Sequence, residues 1–160
     1  MRTLPPSPLI LVAPLTGRLV PLGEVPDPVF AGGMVGDGVA IDPEEGRLVA
    51  PCRARVAIIA EGGHGFGLAT DSGLEILLHV GIDTVELKGQ GFAVLVSPGD
   101  EVESGQPLAG FDLGLIRAAG KLTVSPVVIA NREHVEKLEF HASGLVEAGK
   151  DPIMKVWPKR

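Results

Sequence analysis

Glycine and proline recur from one end of this 160-residue chain to the other, 22 of the first and 14 of the second. In a helix interior they cost roughly 1 and 3 kcal/mol relative to alanine, so this spacing leaves no room for long helices. Between the turn residues lie short runs rich in Val, Ile and Leu, the pattern of many short strands. The expected fold is all-β, an antiparallel β-sandwich or barrel-sandwich with one or two short helical turns. At this length the chain has enough material for one ordinary core.

Strands are expected at Leu9–Ala13 and Gly17–Leu22, bent at Pro14, then after a Gly36-Asp37-Gly38 turn within Met34–Ile41, and near Arg47–Ala50 and Arg53–Glu61. Pro21–Phe30, with three prolines, reads as a loop carrying Asp27, Val29 and Phe30. Asp112 is placed to cap a short helix through Ala119, closed by Gly120. Leu122–Ala130 reads as a central strand whose ladder must break at Pro126. Leu138–Phe140 and Ile153–Val156 read as closing strands. An internal echo, Val12-Ala13-Pro14-x-x-Gly17-x-Leu19 against Val49-Ala50-Pro51-x-x-Ala54-x-Val56, is what a duplicated β motif would leave behind. Residues 1–8 read as a flexible segment, 9–157 as one domain and 158–160 as a tail.

The charge pattern narrows the partners. A net charge of −6, with no basic run beyond a pair, does not suit nucleic acid and suits a basic protein. One cysteine, Cys52, cannot form an internal disulfide, which points to a reducing compartment. No stretch approaches the roughly 20 apolar residues of a membrane span, and prolines interrupt the apolar N-terminus. A soluble, cytoplasmic protein without direct membrane insertion is expected.

The chemistry concentrates in Gly73–Phe92, where His79 sits in an apolar run with Gly81 two residues on, and in His64, fifteen residues upstream of it. If Asp71-Ser72 is a two-residue hairpin loop, Thr70 pairs with Gly73 and His64 falls directly opposite His79. Opposed residues on one face have Cβ atoms about 4.5–5.5 Å apart, close enough to share a ligand. Alternation places Ile76, Leu78, Val80 and Ile82 toward the core and Leu77, His79 and Gly81 on the outer face. In this register Phe66, Leu68 and Leu77 form an exposed apolar collar around the histidines, suited to docking another protein.

Imidazole near its ordinary pKa offers a neutral ring nitrogen as nucleophile, and phosphorus on that nitrogen is readily passed on. A neighbouring imidazole can donate N–H to phosphoryl oxygens. An isolated strand histidine is by default a surface or satisfied residue, and zinc wants a third ligand at familiar spacing, which is missing. His134 and His141 read as surface residues, and Asp83 either caps the turn after its strand or meets a partner. Residue types alone reach a two-histidine site on a β protein.

At these residues the chain resembles the glucose-type IIA proteins of the bacterial sugar phosphotransferase system. Leu78-His79-Val80-Gly81-Ile82-Asp83-Thr84-Val85-Glu86-Leu87-Lys88-Gly89-Gln90-Gly91-Phe92 is similar to the family's phosphorylation-site signature nearly throughout. Ala13-Pro14-Leu15-x-Gly17, Val25-Pro26-Asp27-x-Val29-Phe30, Met34–Ile41, Val49-Ala50-Pro51, Phe111-Asp112-Leu113 and Pro126–Ile129 match in order. The resemblance implies that His79 accepts a phosphoryl group from the phosphocarrier HPr. It further implies donation to a IIB domain, feeding uptake through a membrane IIC, with His64 supporting the phosphoryl group. It places Asp27 and Asp83 against basic partner residues and Val29, Phe30, Val35, Leu77 and Val85 in an apolar docking ring; the exposed collar adds Phe66. No cofactor is required, though His64 and His79 could share a zinc ion with a regulatory partner's carboxylate. Gly62 departs from the family, which usually carries a hydroxyl residue there, and Ala60 and Gly67 make the rim leaner.

Other readings compete. Pro98-Gly99-Asp100-Glu101-Val102-x-x-Gly105-Gln106-x-Leu108 also fits a lipoyl- or biotin-type carrier, with Met154-Lys155 resembling part of a biotinylation site. A zinc peptidase of related architecture lacks its His-x-His pair. A purely regulatory binding protein would follow if Gly62 abolished transfer.

Overall fold

The computed structural model describes residues 7–159, so most of the expected flexible segment, residues 1–6, and Arg160 lie outside the described residues. Fourteen strands are formed among the described residues. They are β1 (Leu9–Val12), β2 (Gly17–Pro21), β3 (Asp37–Pro43), β4 (Arg47–Val49), β5 (Ala54–Ile59), β6 (Gly65–Ala69) and β7 (Glu75–His79). The others are β8 (Phe92–Val94), β9 (Glu101–Val102), β10 (Pro107–Phe111), β11 (Ser125–Ile129), β12 (Val135–Phe140), β13 (Leu145–Val146) and β14 (Pro152–Pro158). Two short α-helices, α1 (Pro28–Ala31) and α2 (Leu113–Ala118), join them. All strand pairs are antiparallel, as expected of hairpin-linked strands.

Helix α1 replaces the expected loop at Phe30. Asp27 caps it, its Oδ1 accepting the Val29 N–H at 2.9 Å, and Pro28 supplies the fixed φ of a first helical position. In α2 the expected cap is present, with Asp112 Oδ1 accepting the Leu115 N–H at 3.0 Å. At the other end of the chain β14 continues to Pro158, and the Lys159 N–H reaches the His134 carbonyl at 2.8 Å, so the expected free tail is tied down that far.

The sheets show why the internal echo exists. One runs β13-β2-β3-β11-β7-β6-β5-β9, and two smaller ones run β1-β14-β12 and β4-β10-β8. Every strand of the contiguous set β4–β10 has a counterpart, in chain order, among β1–β3 and β11–β14. The large sheet reads the same from both ends under that correspondence, with its midline between β11 and β7. The echo residues tie the halves together reciprocally: the Val12 N–H donates to the Pro51 carbonyl at 2.8 Å, and the Val49 N–H to the Pro14 carbonyl at 2.9 Å. The fold is thus a duplicated β motif with one copy inserted into the other.

The main core includes Leu11, Leu48, Phe66, Leu68, Ile76, Leu78, Leu108 and Val156, all at most 1% exposed. Burying each such side chain is worth roughly 1.5–3 kcal/mol. A second, smaller cluster of Leu22, Val25, Phe30, Ala40, Ile82 and Val128 includes the buried face of α1. Pro126 is accommodated because the β11–β7 ladder begins only at Val127, opposite Leu78. The ladder therefore stops where the chain reaches His79.

Candidate functional site

The hairpin register is one position away from the sequence expectation. Gly65, not His64, pairs with His79, followed by Phe66 with Leu78 and Gly67 with Leu77. The cause is the turn. Gly73 takes a left-handed φ of 86°, so three residues, Asp71 to Gly73, form the loop, and the Thr70 N–H bonds to the Leu74 carbonyl at 3.0 Å. Shifting a strand by one residue exchanges its faces. Phe66 and Leu68 accordingly lie in the core, 0% and 1% exposed, and Phe66 is not a docking residue.

The two histidines still meet, by a different route. His64 sits just outside β6, after Gly62 and Gly63 with φ of 94° and 90°, so the strand pleat does not dictate its direction. The His64 and His79 rings lie 5.2 Å apart, edge to face at 71°. The Phe30 ring from α1 is also 5.2 Å from His79. His79 is half-buried, and His64 is 8% exposed.

Tautomer follows from the hydrogen bonds. His79 Nδ1 is 2.6 Å from the Gly81 carbonyl oxygen, which can only accept, so Nδ1 carries the proton and Nε2 keeps its lone pair. Burial pushes the pKa of His79 down; the Gly81 carbonyl opposes this, the His64 charge adds to it, and Asp27 and Asp83 oppose it. His64 is also pushed down by burial, with the Glu61 carbonyl acting in the opposite direction. Both rings are therefore held neutral more firmly than free imidazole, the state a nitrogen nucleophile needs.

Gly62 is explained by its backbone. Besides its positive φ, a Cβ there would come within 2.9 Å of the Gly89 nitrogen. This loop has no room for the family's hydroxyl side chain, and the group acting on His64 is the Glu61 backbone carbonyl.

Around the histidines, Val29 and Val85 are exposed at 46% and 57%, while Val35 and Leu77 are half-buried against the second cluster. Asp83, with φ 59°, begins a 3₁₀ turn over Thr84–Leu87 but makes no side-chain cap bond, so its exposed carboxylate is not engaged as a cap. Two exposed apolar residues, one after α1 and one beside this segment, escape sequence reasoning. Met34 follows α1 in the connection to β3, and the Leu122 carbonyl accepts the Ile82 N–H at 3.0 Å. Nothing local to Leu122 signals that pairing. His134 and His141 are both exposed, as expected, and no third His, Cys, Asp or Glu joins the pair as a metal cluster among the described residues. Lys155 lies in mid-strand in β14, paired with Ile10 and Glu139, not at the hairpin tip a biotin-type carrier needs.

A duplicated antiparallel β-sandwich presenting a neutral, oriented histidine beside a second one in an apolar surround suits a phosphoryl-carrier component of a phosphotransferase system. The chain belongs to the family described as phosphoenolpyruvate-dependent sugar phosphotransferase system, EIIA 1, which residues 9–135 match. It is similar to the PTS system glucose-specific EIIA component of Bacillus cereus, 44% identical over 149 residues, covering 93% of this chain and 90% of that protein. The component of the same description from Staphylococcus aureus is 42% identical over 148 residues, covering 92% and 89%. Among solved structures, the glucose permease IIA from Mycoplasma capricolum superposes with a TM-score of 0.85 at 35% identity, covering 93% of this chain and 96% of that one. The protein is thus a phosphotransferase component of this sugar-uptake system.

Proposed function

We propose that His79 Nε2 is the phosphoryl acceptor. The observation that carries this is the 2.6 Å contact of Nδ1 with the Gly81 carbonyl, which leaves Nε2 as the ring's available nucleophile. The Nε2 lone pair attacks the phosphorus of a donor phosphohistidine on HPr. The donor's P–N bond breaks, its electron pair returns to the donor ring, and that nitrogen takes up a proton. His64, 5.2 Å away ring to ring, has its one neutral-state N–H turned to the Glu61 carbonyl. On taking a second proton beside the anionic phosphoryl group, it donates a hydrogen bond to the phosphoryl oxygens from its other ring nitrogen. That bond steadies their charge during acceptance and onward transfer to a IIB domain.

Val29, Val35, Leu77 and Val85 form the apolar ground on which both partners dock, and Asp27 and Asp83 meet the partners' basic residues. Phe30, 7% exposed, packs against His79 instead of joining that ground. The relay works in the cytoplasm, delivering to a permease with a membrane IIC; no helix among the described residues is long and apolar enough to cross a membrane itself. The names of the relatives make a glucose permease the first IIB to test. The relay chemistry needs no cofactor. Two imidazoles at this spacing suit two of the four positions around zinc, and a regulatory partner's carboxylate would have to help complete the set.

The test is incubation with phosphoenolpyruvate, enzyme I and HPr, followed by intact mass. The wild type gains one acid-labile phosphoryl group and His79→Ala gains none; equal gain on both overturns the assignment. His64→Ala retains acceptance but loses donation to IIB, and normal donation by that variant removes His64 from the mechanism.

A further inference from the structure

The bond that fixes the His79 tautomer is only as well placed as Gly81, and that residue is anchored from across the sheet midline. Gly81 has φ 72°, and any Cβ there would lie 2.6 Å from Thr84 Cγ2 and 2.8 Å from the Leu122 carbonyl oxygen. Its carbonyl accepts the His79 Nδ1–H at 2.6 Å, while its N–H donates to Ser125 Oγ at 3.0 Å. The Ser125 hydroxyl hydrogen is itself committed, donating to the Thr123 carbonyl at 2.8 Å, so the hydroxyl turns a lone pair toward Gly81. Thr84 Oγ1 donates to the Val80 carbonyl at 2.6 Å and so holds the other end of the same Val80–Gly81 peptide whose N–H goes to Ser125.

Ser125 occupies the point where β7 and β11 part company. The ladder between them ends at Val127 with Leu78, Pro126 has no N–H to offer, and beyond it the chain of β7 turns away at Gly81. Without the serine hydroxyl the Gly81 N–H loses its partner in a closed interior, a costly omission. Ser125 is 1% exposed and serves the histidine only through Gly81.

We propose that Ser125 is a positioning residue for phosphoryl acceptance: it fixes the Val80–Gly81 peptide and so sets the direction of the next carbonyl, that of Gly81, which holds His79 as the Nδ1–H tautomer with Nε2 bare. This rests on the assignment of His79 as acceptor. Once phosphorus is on Nε2, a proton on Nδ1 makes the bond to Gly81 charge-assisted, so the anchored carbonyl also supports the phosphorylated ring. The Gly81 carbonyl shares its peptide with the Ile82 N–H, which donates to the Leu122 carbonyl at 3.0 Å. Hydrogen bonds in series polarise one another, which strengthens the Gly81 carbonyl as an acceptor.

The experiment uses the full chain labelled with ¹⁵N-histidine. Ring nitrogen shifts report the tautomer, and single-turnover phosphorylation by phospho-HPr reports the maximal rate and half-saturation separately. In the wild type His79 is the Nδ1–H tautomer. Ser125→Ala is expected to give a tautomer mixture and a maximal rate lower by about fivefold or more, the order expected for one buried hydrogen bond. Half-saturation is unchanged because Ser125 reaches no surface, and Ser125→Thr restores both rate and tautomer. If Ser125→Ala does not fold, Ser125→Cys, of similar shape but a weak acceptor, carries the same expectations. A pure Nδ1–H tautomer with wild-type rate in the variant, or a change in half-saturation alone, overturns the proposal. If the wild type accepts no phosphoryl group, the acceptor assignment fails instead, and the tautomer measurement still decides whether Ser125 orients the ring.

Discussion

His79 has one ring nitrogen engaged by a backbone carbonyl and a second left with its lone pair, with an aromatic ring and another imidazole each 5.2 Å away. Both histidines are pushed below the ordinary imidazole pKa by burial, which has two consequences at this scale. The first concerns rate: the acid limb of phosphoryl acceptance, followed at saturating phospho-HPr, has its midpoint below about 6.5. A midpoint above that value contradicts the burial argument. The second concerns stability. Below about pH 6.5 the unfolded chain protonates these rings before the folded one does, so the unfolded state binds more protons there. The histidines' contribution is therefore complete above about pH 6.5 and is lost as pH falls from there through the depressed folded pKa values. Denaturation midpoints at pH 7.5 and 5.5 should differ less in His64→Gln/His79→Gln than in the wild type; an equal difference in both removes the histidines as the cause.

The β6–β7 hairpin shows how far local pattern reaches. Alternation correctly assigned Ile76, Leu78 and Val80 to the core and Leu77 and His79 to the outer side, because the pleat leaves no other choice once one face is buried. Register was not legible from Asp71-Ser72, because whether Gly73 joins the loop depends on a backbone conformation that several sequences allow. That one step moved Phe66 from surface to core, and Phe66→Ala should cost about 3–5 kcal/mol in equilibrium unfolding. Val85→Ser, at an exposed site, should stay within about 0.5 kcal/mol while raising the half-saturation for phospho-HPr. A small loss from Phe66→Ala, or an unchanged half-saturation for Val85→Ser, contradicts the corrected face assignment. The signature around His79 and the Gly62 departure were readable in sequence. The meeting of His64 with His79 through a double-glycine turn, and the hold of Ser125 on Gly81, depend on non-local geometry that no window of residues contains.

Across the whole molecule the duplication was faintly visible as the Val-Ala-Pro echo, and its meaning came from the reciprocal bonds Val12–Pro51 and Val49–Pro14. The insertion of one copy into the other, with β11 and β7 paired along the midline, ties the halves into one cooperative unit. Unfolding followed by the single Trp157, in the split copy, and by circular dichroism over all strands should therefore coincide. Separate transitions contradict that coupling. The site's place beside the midline gives His79 supports from both copies, with Gly81 on one side and Ser125 on the other.

The most direct test of the central claim is ³¹P NMR of the phosphorylated protein under native and then denaturing conditions, which distinguishes Nε2- from Nδ1-phosphohistidine. The geometry predicts a single Nε2-phosphohistidine that disappears in His79→Ala. Phosphorus on Nδ1, or on His64, would contradict it.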